Sequence, residues 1–390
     1  MRKISASLVC PVSSPAIKRG VVVVDSDGTI LEIRGPLEKE EANIEYYSGI
    51  LIPGLVNAHC HLELSHLKST IVPSLGMAGF VESIMEKRVA EESTVEHAIQ
   101  KADRFMYEDG INLVGDISNG STTFSAKTKS KITYHTFVEA FAPEAKHAQK
   151  VIQDKVDIVE EARFSNLLAS LTLHAPYSIS PEMVSTFNKS TQPDNLISFH
   201  LFESQEEIDY MEQNSGPLEQ LYRKNGRTAH PQEQWGSSPY KIMLGELPNE
   251  HRLLAIHACR ATQPYIDMLA RFKETWFVLC PRSNQYIHSE LPPISLIRSN
   301  TKNIALGTDS LASNHSLSIL EEMKAITSRY SEITFEELLT WATLNGARAL
   351  GQESTFGSFD KNKKPGVLLL TGIDIFDPKL SEKTRVRRLV

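Results

Sequence analysis

Eight short runs of apolar and β-branched residues recur along the chain, and each is followed by a stretch whose apolar residues have helical spacing. Strands that alternate with helices form a parallel sheet, and eight such units form a closed (β/α)8 barrel. The sequence therefore predicts an α/β protein of the TIM barrel type, closed by a last helix with Thr334 as its N-cap and Gly351 as its stop. The eight runs lie at residues 50–59, 111–118, 132–141, 167–176, 196–204, 253–259, 276–283 and 303–310.

Both ends of the chain lie outside this alternating pattern and are typical of short strands. Residues 1–50 contain the turn signals SDG and RGP, and KKPGVLLL is the clearest strand of residues 352–390. We expect these two segments to form one small β-sandwich domain, with residues 51–351 as the barrel between them. The basic end TRVRRLV is expected to be a solvated terminus.

Polar residues occupy the predicted carboxyl ends of the eight strands. In a barrel of this kind the active site lies at that face. Five of the 13 histidines fall at these few positions, which favours a functional site over scattered core or surface histidines. The set comprises His59, His61, Asp116, Glu139, His174, His200, His257, Ser283, Asn284 and Asp309.

A metal site is predicted at this face. His59 and His61 stand one residue apart, so in a strand both imidazoles point to the same side. Such a pair is also common by chance, and Asp309 alone could be a turn or helix-cap aspartate. With His200 and Asp309 the pair makes four ligands for a divalent metal ion. Zinc is the expected ion and ferrous iron also fits; because strand four has no lysine to bridge a second ion, we expect one.

Three residues are predicted to carry the chemistry. A bound metal ion lowers the pKa of water towards ~7, and Asp309 could accept the released proton as well as bind the ion. Glu203, three residues after His200, is predicted to be the proton shuttle, with a first-turn helix glutamate as the alternative. His257 is predicted to hold the attacking water or the developing oxyanion, with a satisfied core histidine as the alternative.

Other polar residues near the strand ends are predicted to face the substrate. These are Glu63, His174, Ser283 and Asn284, although Tyr177, Arg282 or Glu139 could do the same work. Residues 226–250 are rich in glycine, proline and polar residues, so we expect a long connection that acts as a lid.

The composition argues against several classes of partner. A formal charge of -7, with no basic cluster longer than a few residues, argues against nucleic acid or an anionic membrane. No apolar run approaches the length that spans a bilayer, and the start MRKISASLVCP is too short for a signal peptide. The four cysteines lack any CxxC spacing, which fits a reducing compartment, so we expect a cytoplasmic protein with a small-molecule partner. A homo-oligomer is left open.

Eight stretches together resemble the amidohydrolase superfamily: PGLVNAHCHLELS, TLHAPYSISPE, SFHLFES, SGPLEQLYRKNG, AIHAC, CPRSN, GTDSLASN and ATLNGARALG. They are most similar to its metal-dependent aminohydrolases and chlorohydrolases, which act on nitrogen heterocycles. The resemblance implies the same four metal ligands and the same roles for Glu203 and His257. The chain departs from the family pattern at His315, where relatives often have an acidic residue, and at residues 367–369, where Val-Leu-Leu replaces Ala-Asp-Leu.

The opening NAHCHLELSHL is similar to that of aminodeoxyfutalosine deaminases, which implies an adenine-like nucleoside as the substrate. We therefore predict a hydrolase of C–N bonds that deaminates an amino-substituted nitrogen heterocycle, such as aminodeoxyfutalosine or a related purine or pterin. The alternative within enzymes is hydrolysis of a chloro-heterocycle or a cyclic amide. The alternative of another class is a non-catalytic barrel scaffold.

Overall fold

The computed structural model describes residues 1–36, 42–227 and 230–390. The strands are β1 (Arg2–Val9), β2 (Ile17–Lys18), β3 (Val21–Val24), β4 (Ile30–Arg34), β5 (Ile44–Pro53), β6 (Leu55–Cys60), β7 (Ile111–Ser118), β8 (Thr133–Ala140), β9 (Leu168–Leu173), β10 (Leu196–Leu201), β11 (Arg252–His257), β12 (Glu274–Leu279), β13 (Ile304–Leu306), β14 (Val367–Thr371) and β15 (Arg385–Arg388).

The helices are α1 (Gly76–Lys87), α2 (Glu92–Glu108), α3 (Phe124–Lys129), α4 (Ala148–Phe164), α5 (Pro181–Ser190), α6 (Gln205–Gln213), α7 (Pro217–Lys224), α8 (Pro231–Trp235), α9 (Pro239–Glu246), α10 (Gln263–Leu269), α11 (Pro281–His288), α12 (Ile294–Asn300), α13 (Ile319–Thr327), α14 (Phe335–Thr340) and α15 (Gly346–Ala349). Short 3-10 helices lie at Leu62–Leu67, Ala145–His147 and Pro176–Ser178. Among the described residues, no helix has the length and apolar character that crossing a bilayer requires.

Eight parallel strands form two four-stranded sheets, in the orders β6-β7-β8-β9 and β10-β11-β12-β13. Helical segments connect each strand to the next, as parallel pairing requires. Every residue of β6 and of β10 is buried, which is expected of parallel strands that are covered on both faces. The predicted α/β class with parallel strands is confirmed.

Backbone hydrogen bonds join the two sheets at both of their edges. At one edge, the N–H of His200 donates to the carbonyl of His174 at 3.0 Å. At the other, the N–H of Thr308 donates to the carbonyl of His59 at 2.9 Å, and Cys60 pairs in parallel with Asp309. The carboxyl ends of strands from both sheets therefore meet at one face.

The two ends of the chain combine in a third, seven-stranded sheet. Its order is β15-β14-β5-β1-β3-β4, with β2 paired to β1. The basic end TRVRRLV contains β15, which pairs with β14 in antiparallel register at the edge of this sheet and leaves Arg385 and Arg387 exposed. The sandwich arrangement and the boundaries 1–50, 51–351 and 352–390 stay predictions.

The first predicted strand was too long at its start. The run at residues 50–59 divides at Gly54, where β5 of the terminal sheet ends and β6 begins. A Cβ atom on Gly54 would lie 2.3 Å from the carbonyl oxygen of Pro365, so only glycine fits this passage between the sheets.

The connection at residues 226–250 contains two short helices, α8 and α9. They bury Trp235, Tyr240 and Met243, which gives this segment a packed apolar side. Residues 228–229 of the predicted lid lie outside the described residues.

The closing helix agrees with the prediction: the Thr334 hydroxyl accepts the Glu337 N–H at the start of α14, and Gly351 has a φ of 67° after α15.

Gly307, directly after β13, should tolerate no side chain. A Cβ atom there would lie 2.8 Å from the Cβ of His59 and 3.0 Å from the sulfur of Cys280. We expect Gly307→Ala to lower the free energy of unfolding in urea by about 1–3 kcal/mol, because the strands must separate. Gly245→Ala is the control, since Gly245 lies in α9 and has open space around its Cα; equal destabilisation of both variants would contradict this explanation.

Candidate metal and active site

Four side chains from the ends of β6, β10 and β13 converge on one point. Nε2 of His61 lies 3.2 Å from Nε2 of His59, 3.4 Å from Nε2 of His200 and 3.4 Å from Oδ1 of Asp309. Ligand atoms of a tetrahedral ion bonded at about 2.0–2.1 Å are about 3.3 Å apart. A divalent cation bound by unprotonated donors at these distances offsets their mutual repulsion, so the four residues fit a divalent metal ion of the zinc type.

Neighbouring groups orient two of these ligands. Nδ1 of His200 donates to the carbonyl of His174 at 2.8 Å, which leaves Nε2 unprotonated and free for the ion. The hydroxyls of Ser283 and Ser313 donate to Oδ2 of Asp309 at 2.6 Å and 2.5 Å. Oδ1 of Asp309 is thereby left to face the histidines.

The protonation states of these residues suit metal binding. Burial lowers the pKa of His61 well below its ordinary value and that of His200 to about 4, so both imidazoles are neutral near pH 7. Burial opposes ionisation of Asp309, but its contacts with the surrounding histidines, His59 first, hold its pKa well below the ordinary value. Neutral imidazoles and an ionised carboxylate are the forms that bind metals.

The backbone is strained where the strands end at this site. Phe202, His257 and Asp309 have φ values of 54°, 70° and 56°, in the left-handed region that non-glycine residues seldom adopt. Each such residue costs on the order of 1–3 kcal/mol, and such strain clusters at functional sites. The bends turn these three strand ends at the face that carries the metal ligands.

Glu203 and His257 form a second polar pair beside the metal ligands. Oε1 of Glu203 lies 3.4 Å from Nε2 of His257. Nδ1 of the same ring lies 3.0 Å from the amide nitrogen of Asn284, so the ring proton sits on Nε2 and faces Glu203. Burial, and then the nearby Asp309 and Glu207, raise the pKa of Glu203 well above its ordinary value. This raised pKa favours the protonated form of Glu203, which is the form that can donate a proton to a substrate.

A cavity of about 340 Å³ opens beside these groups. Its polar lining includes His61, His200, Glu203, His257 and Asp309. Its apolar lining includes Met77, Phe80, Val81, Ile84, Met85 and Phe141. The cavity thus combines reactive groups with an apolar surface, most of which comes from α1.

Two more carboxyl groups, those of Glu63 and Glu139, line the cavity. Glu63 accepts the backbone N–H of Asn119 at 2.9 Å, and Glu139 accepts the side-chain amide of Asn119 at 3.2 Å. Burial raises the pKa of Glu63 to about 7 and raises that of Glu139 above its ordinary value. Protonated carboxyl groups can both donate and accept hydrogen bonds, as the edge of a nitrogen heterocycle requires.

Residues 50–385 match the sequence profile of the Amidohydrolase family. This chain belongs to the amidohydrolase family. The predicted superfamily is therefore confirmed.

Named relatives of this amidohydrolase include deaminases of adenine-type compounds. It is 25% identical over 325 residues to an adenosine deaminase of Helicobacter pylori, covering 82% of this chain and 78% of that protein. It is 24% identical over 319 residues to an aminodeoxyfutalosine deaminase of Nitratiruptor sp., covering 78% and 75%. Its fold is similar to that of the Helicobacter pylori aminofutalosine deaminase solved with methylthio-coformycin, with a TM-score of 0.82, 23% identity and coverage of 98% and 94%.

The structure places the predicted substrate contacts of this amidohydrolase in two groups. Glu63 and His174 line the cavity. Ser283 and Asn284 are fully buried and are not among the described residues that line it. Both residues lie in α11. Ser283 hydrogen-bonds Asp309, and Asn284 hydrogen-bonds His257. Their role as substrate contacts stays a prediction, and their hydrogen bonds point to support of those two residues.

Several residues at the site were missing from the predicted set. Asn119 is in a loop after β7. Most of the apolar residues that line the cavity come from α1, whose sequence pattern resembles that of any core helix. Glu139, near the end of a predicted strand, was named only as an alternative substrate contact, and it lines the cavity. His315 packs its ring 5.2 Å from that of Tyr286 and is not among the described residues that line the cavity.

Ser283→Ala should weaken metal binding without unfolding the protein. The substitution removes one of two hydroxyl groups that hold Oδ2 of Asp309, and loss of such a partner typically costs about 10–100-fold in metal affinity. Zinc affinity, measured by competition with a chelator, tests this. Ser198→Ala is the control, because its buried hydroxyl has no partner among the described residues; the same loss of affinity in both variants would contradict the assignment.

Proposed function

We propose that this amidohydrolase is a metal-dependent deaminase that converts the amino-bearing carbon of an adenine-like nucleoside to a carbonyl and releases ammonia. The observation that carries the proposal is the position of Glu203, whose pKa is raised, 3.4 Å from Nε2 of His257 in a cavity also lined by His61, His200 and Asp309. A hydrolase of C–N bonds needs both a site for an activated water and a proton donor for the leaving amine. The names of the two deaminase relatives support the same reaction.

In the proposed reaction, Glu203 transfers the protons and the metal ion activates the water. When bound, the metal ion supplies a Lewis acid that lowers the pKa of water towards ~7. Glu203 donates its proton to the ring nitrogen next to the amino-bearing carbon. The carboxylate then accepts a proton from the attacking water and passes it to the departing amine, which leaves as ammonia. The remaining proton of the water returns Glu203 to its protonated form.

His257 and Asp309 hold the attacking water. The Nε2–H of His257 faces Glu203 and can donate a hydrogen bond to the oxygen that attacks the carbon. Oδ2 of Asp309 accepts hydrogen bonds from Ser283 and Ser313, so Oδ1 is left to hold the ion. Glu63, Glu139 and His174 line the cavity where the edge of the heterocycle would lie.

The finer architecture is part of the proposal. Hydrogen bonds at both edges of the two parallel sheets support a closed (β/α)8 barrel at residues 51–351. The shared terminal sheet supports one small β-sandwich domain built from residues 1–50 and 352–390. One ion per chain is proposed because His61 Nε2 lies within 3.4 Å of a donor atom of His59, His200 and Asp309, so one ion could contact all four residues. Four free, buried cysteines support a cytoplasmic location; a homo-oligomer remains open.

Ammonia release tests the proposal. A panel of adenine nucleosides with and without apolar 5′ substituents, aminopurines, guanine, pterins and cytosine is incubated with protein whose metal content has been measured. We expect ammonia from the adenine nucleosides at one zinc per chain. Chloride from a chloro-heterocycle, or an acid from a cyclic amide, in place of ammonia would contradict deamination. No turnover of any compound by the metal-loaded protein would favour the scaffold.

A further inference from the structure

The chain bends sharply between the metal ligand His200 and the carboxyl of Glu203. Strand β10 ends at Leu201, Phe202 adopts the left-handed φ of 54°, and α6 begins at Gln205. A phenylalanine does not hold this conformation without support, because its Cβ crowds the backbone. The direction of the Glu203 side chain depends on this bend.

Glu207 supplies the support from the first turn of α6. Its Oε1 accepts the backbone N–H of Phe202 at 3.1 Å, and its Oε2 accepts the backbone N–H of Glu203 at 2.8 Å. One fully buried carboxyl group therefore binds both amides of the bend. Amides that point at one carboxyl group cannot return to the extended geometry of β10 without losing these bonds.

Tyr240 completes the arrangement from a distant part of the chain. Its hydroxyl donates to Oε1 of Glu207 at 2.7 Å, from α9 in the connection between β10 and β11. Its ring lies 4.9 Å from that of Phe202. The hydroxyl restricts the carboxyl group of Glu207 to one orientation, and the ring covers the bend.

We propose that Glu207 and Tyr240 are positioning residues that hold the Phe202–Glu203 bend and thereby aim the carboxyl group of Glu203 at His257 and the reacting heterocycle. The catalytic part of this inference rests on the proposed deamination, while the geometric part does not. It also gives the connection at residues 226–250 a role other than that of a lid, since α9 acts on the site through Glu207.

The kinetic experiment compares Tyr240→Phe and Glu207→Gln with the wild type. Tyr240→Phe removes a donor, Glu207→Gln replaces one accepting oxygen with a donating NH2 group, and both keep the size of the side chain. We expect kcat to fall roughly tenfold in each variant, the size of one lost buried hydrogen bond, with little change in KM or in metal content. In a Glu203→Gln background, Tyr240→Phe should have no further effect on the residual rate, because it acts through Glu203.

Tyr265→Phe is the matched control. Tyr265 stacks on the ring of Phe202 at 4.3 Å, but its hydroxyl donates to Glu212 and not to Glu207. This variant removes a hydroxyl from the same aromatic group and should leave kcat unchanged. Equal effects of Tyr240→Phe and Tyr265→Phe, or an additive effect in the Glu203→Gln background, would overturn the proposal.

Amide hydrogen exchange tests the bend without any substrate. Glu207→Gln and Tyr240→Phe should speed exchange of the Phe202 and Glu203 amides, while Tyr265→Phe should not. If the wild type releases no ammonia but the exchange result holds, deamination fails and the support of the bend stands. Unchanged exchange in Glu207→Gln and Tyr240→Phe would overturn the positioning role whatever reaction the protein catalyses.

Discussion

Glu203→Gln is expected to lower kcat for ammonia release by a factor on the order of 10³, because general acid–base catalysis contributes roughly 10²–10⁴-fold. Glutamine keeps the shape of the side chain but cannot carry a proton to the ring nitrogen or from the attacking water. The contact with Nε2 of His257 at 3.4 Å and the raised pKa of Glu203 are the two observations that support its proposed role as the proton carrier. Steady-state kinetics on the best substrate of the panel provide the measurement.

Glu212→Gln is the control for this substitution. Glu212 lies on the neighbouring helix α6 and is exposed, and its side chain accepts a hydrogen bond from the hydroxyl of Tyr265. It should keep full turnover, and both variants should keep the metal content of the wild type. Near-full turnover by Glu203→Gln would remove the proton-shuttle role and leave the metal site as the sole catalytic feature.

The alternation of strands and helices was readable because parallel strands covered on both faces are apolar along their whole length. The strand at residues 111–118 agrees with β7 at both ends. The division of the run at residues 50–59 could not be read, because a strand of the terminal sheet and a strand of the parallel sheet are equally apolar. Pro365 and Asn112 both approach Gly54 closely at this boundary, and the contact with Pro365 spans most of the chain.

The convergence of the four candidate metal ligands was predictable, because they follow strands whose ends meet at one face. Ser283 and Asn284 were predicted by the same logic, yet they lie within α11, where side-chain direction follows a period of 3.6 residues instead of the strand end. The support of Glu203 by Glu207 and Tyr240 could not be predicted from the sequence either. Residues 33 positions apart meet there, and neither one has a local pattern that indicates the other.

His61→Ala is expected to abolish turnover and to weaken zinc binding by more than about 100-fold, since loss of a group that merely orients a ligand already costs about 10–100-fold. Of the four donors, His61 Nε2 lies within 3.4 Å of the other three, so its removal opens the site on every side. Zinc content after dialysis and competition with a chelator measure the affinity. Thermal unfolding supplies a second measurement: zinc at 100 times Kd should stabilise the wild type by about 2.7 kcal/mol and should leave the variant unchanged.

His97→Ala separates the loss of a ligand from the loss of any histidine. His97 is exposed on α2 and belongs to none of the donor groups that could hold a metal among the described residues. It should keep the zinc affinity, the zinc-dependent stabilisation and the turnover of the wild type. If His61→Ala bound zinc as tightly as His97→Ala, the ion would have to lie elsewhere. The adjacent group Glu139, His174 and His200 would then be the next set of ligands to test, because their donor atoms lie within 4.8 Å of one another.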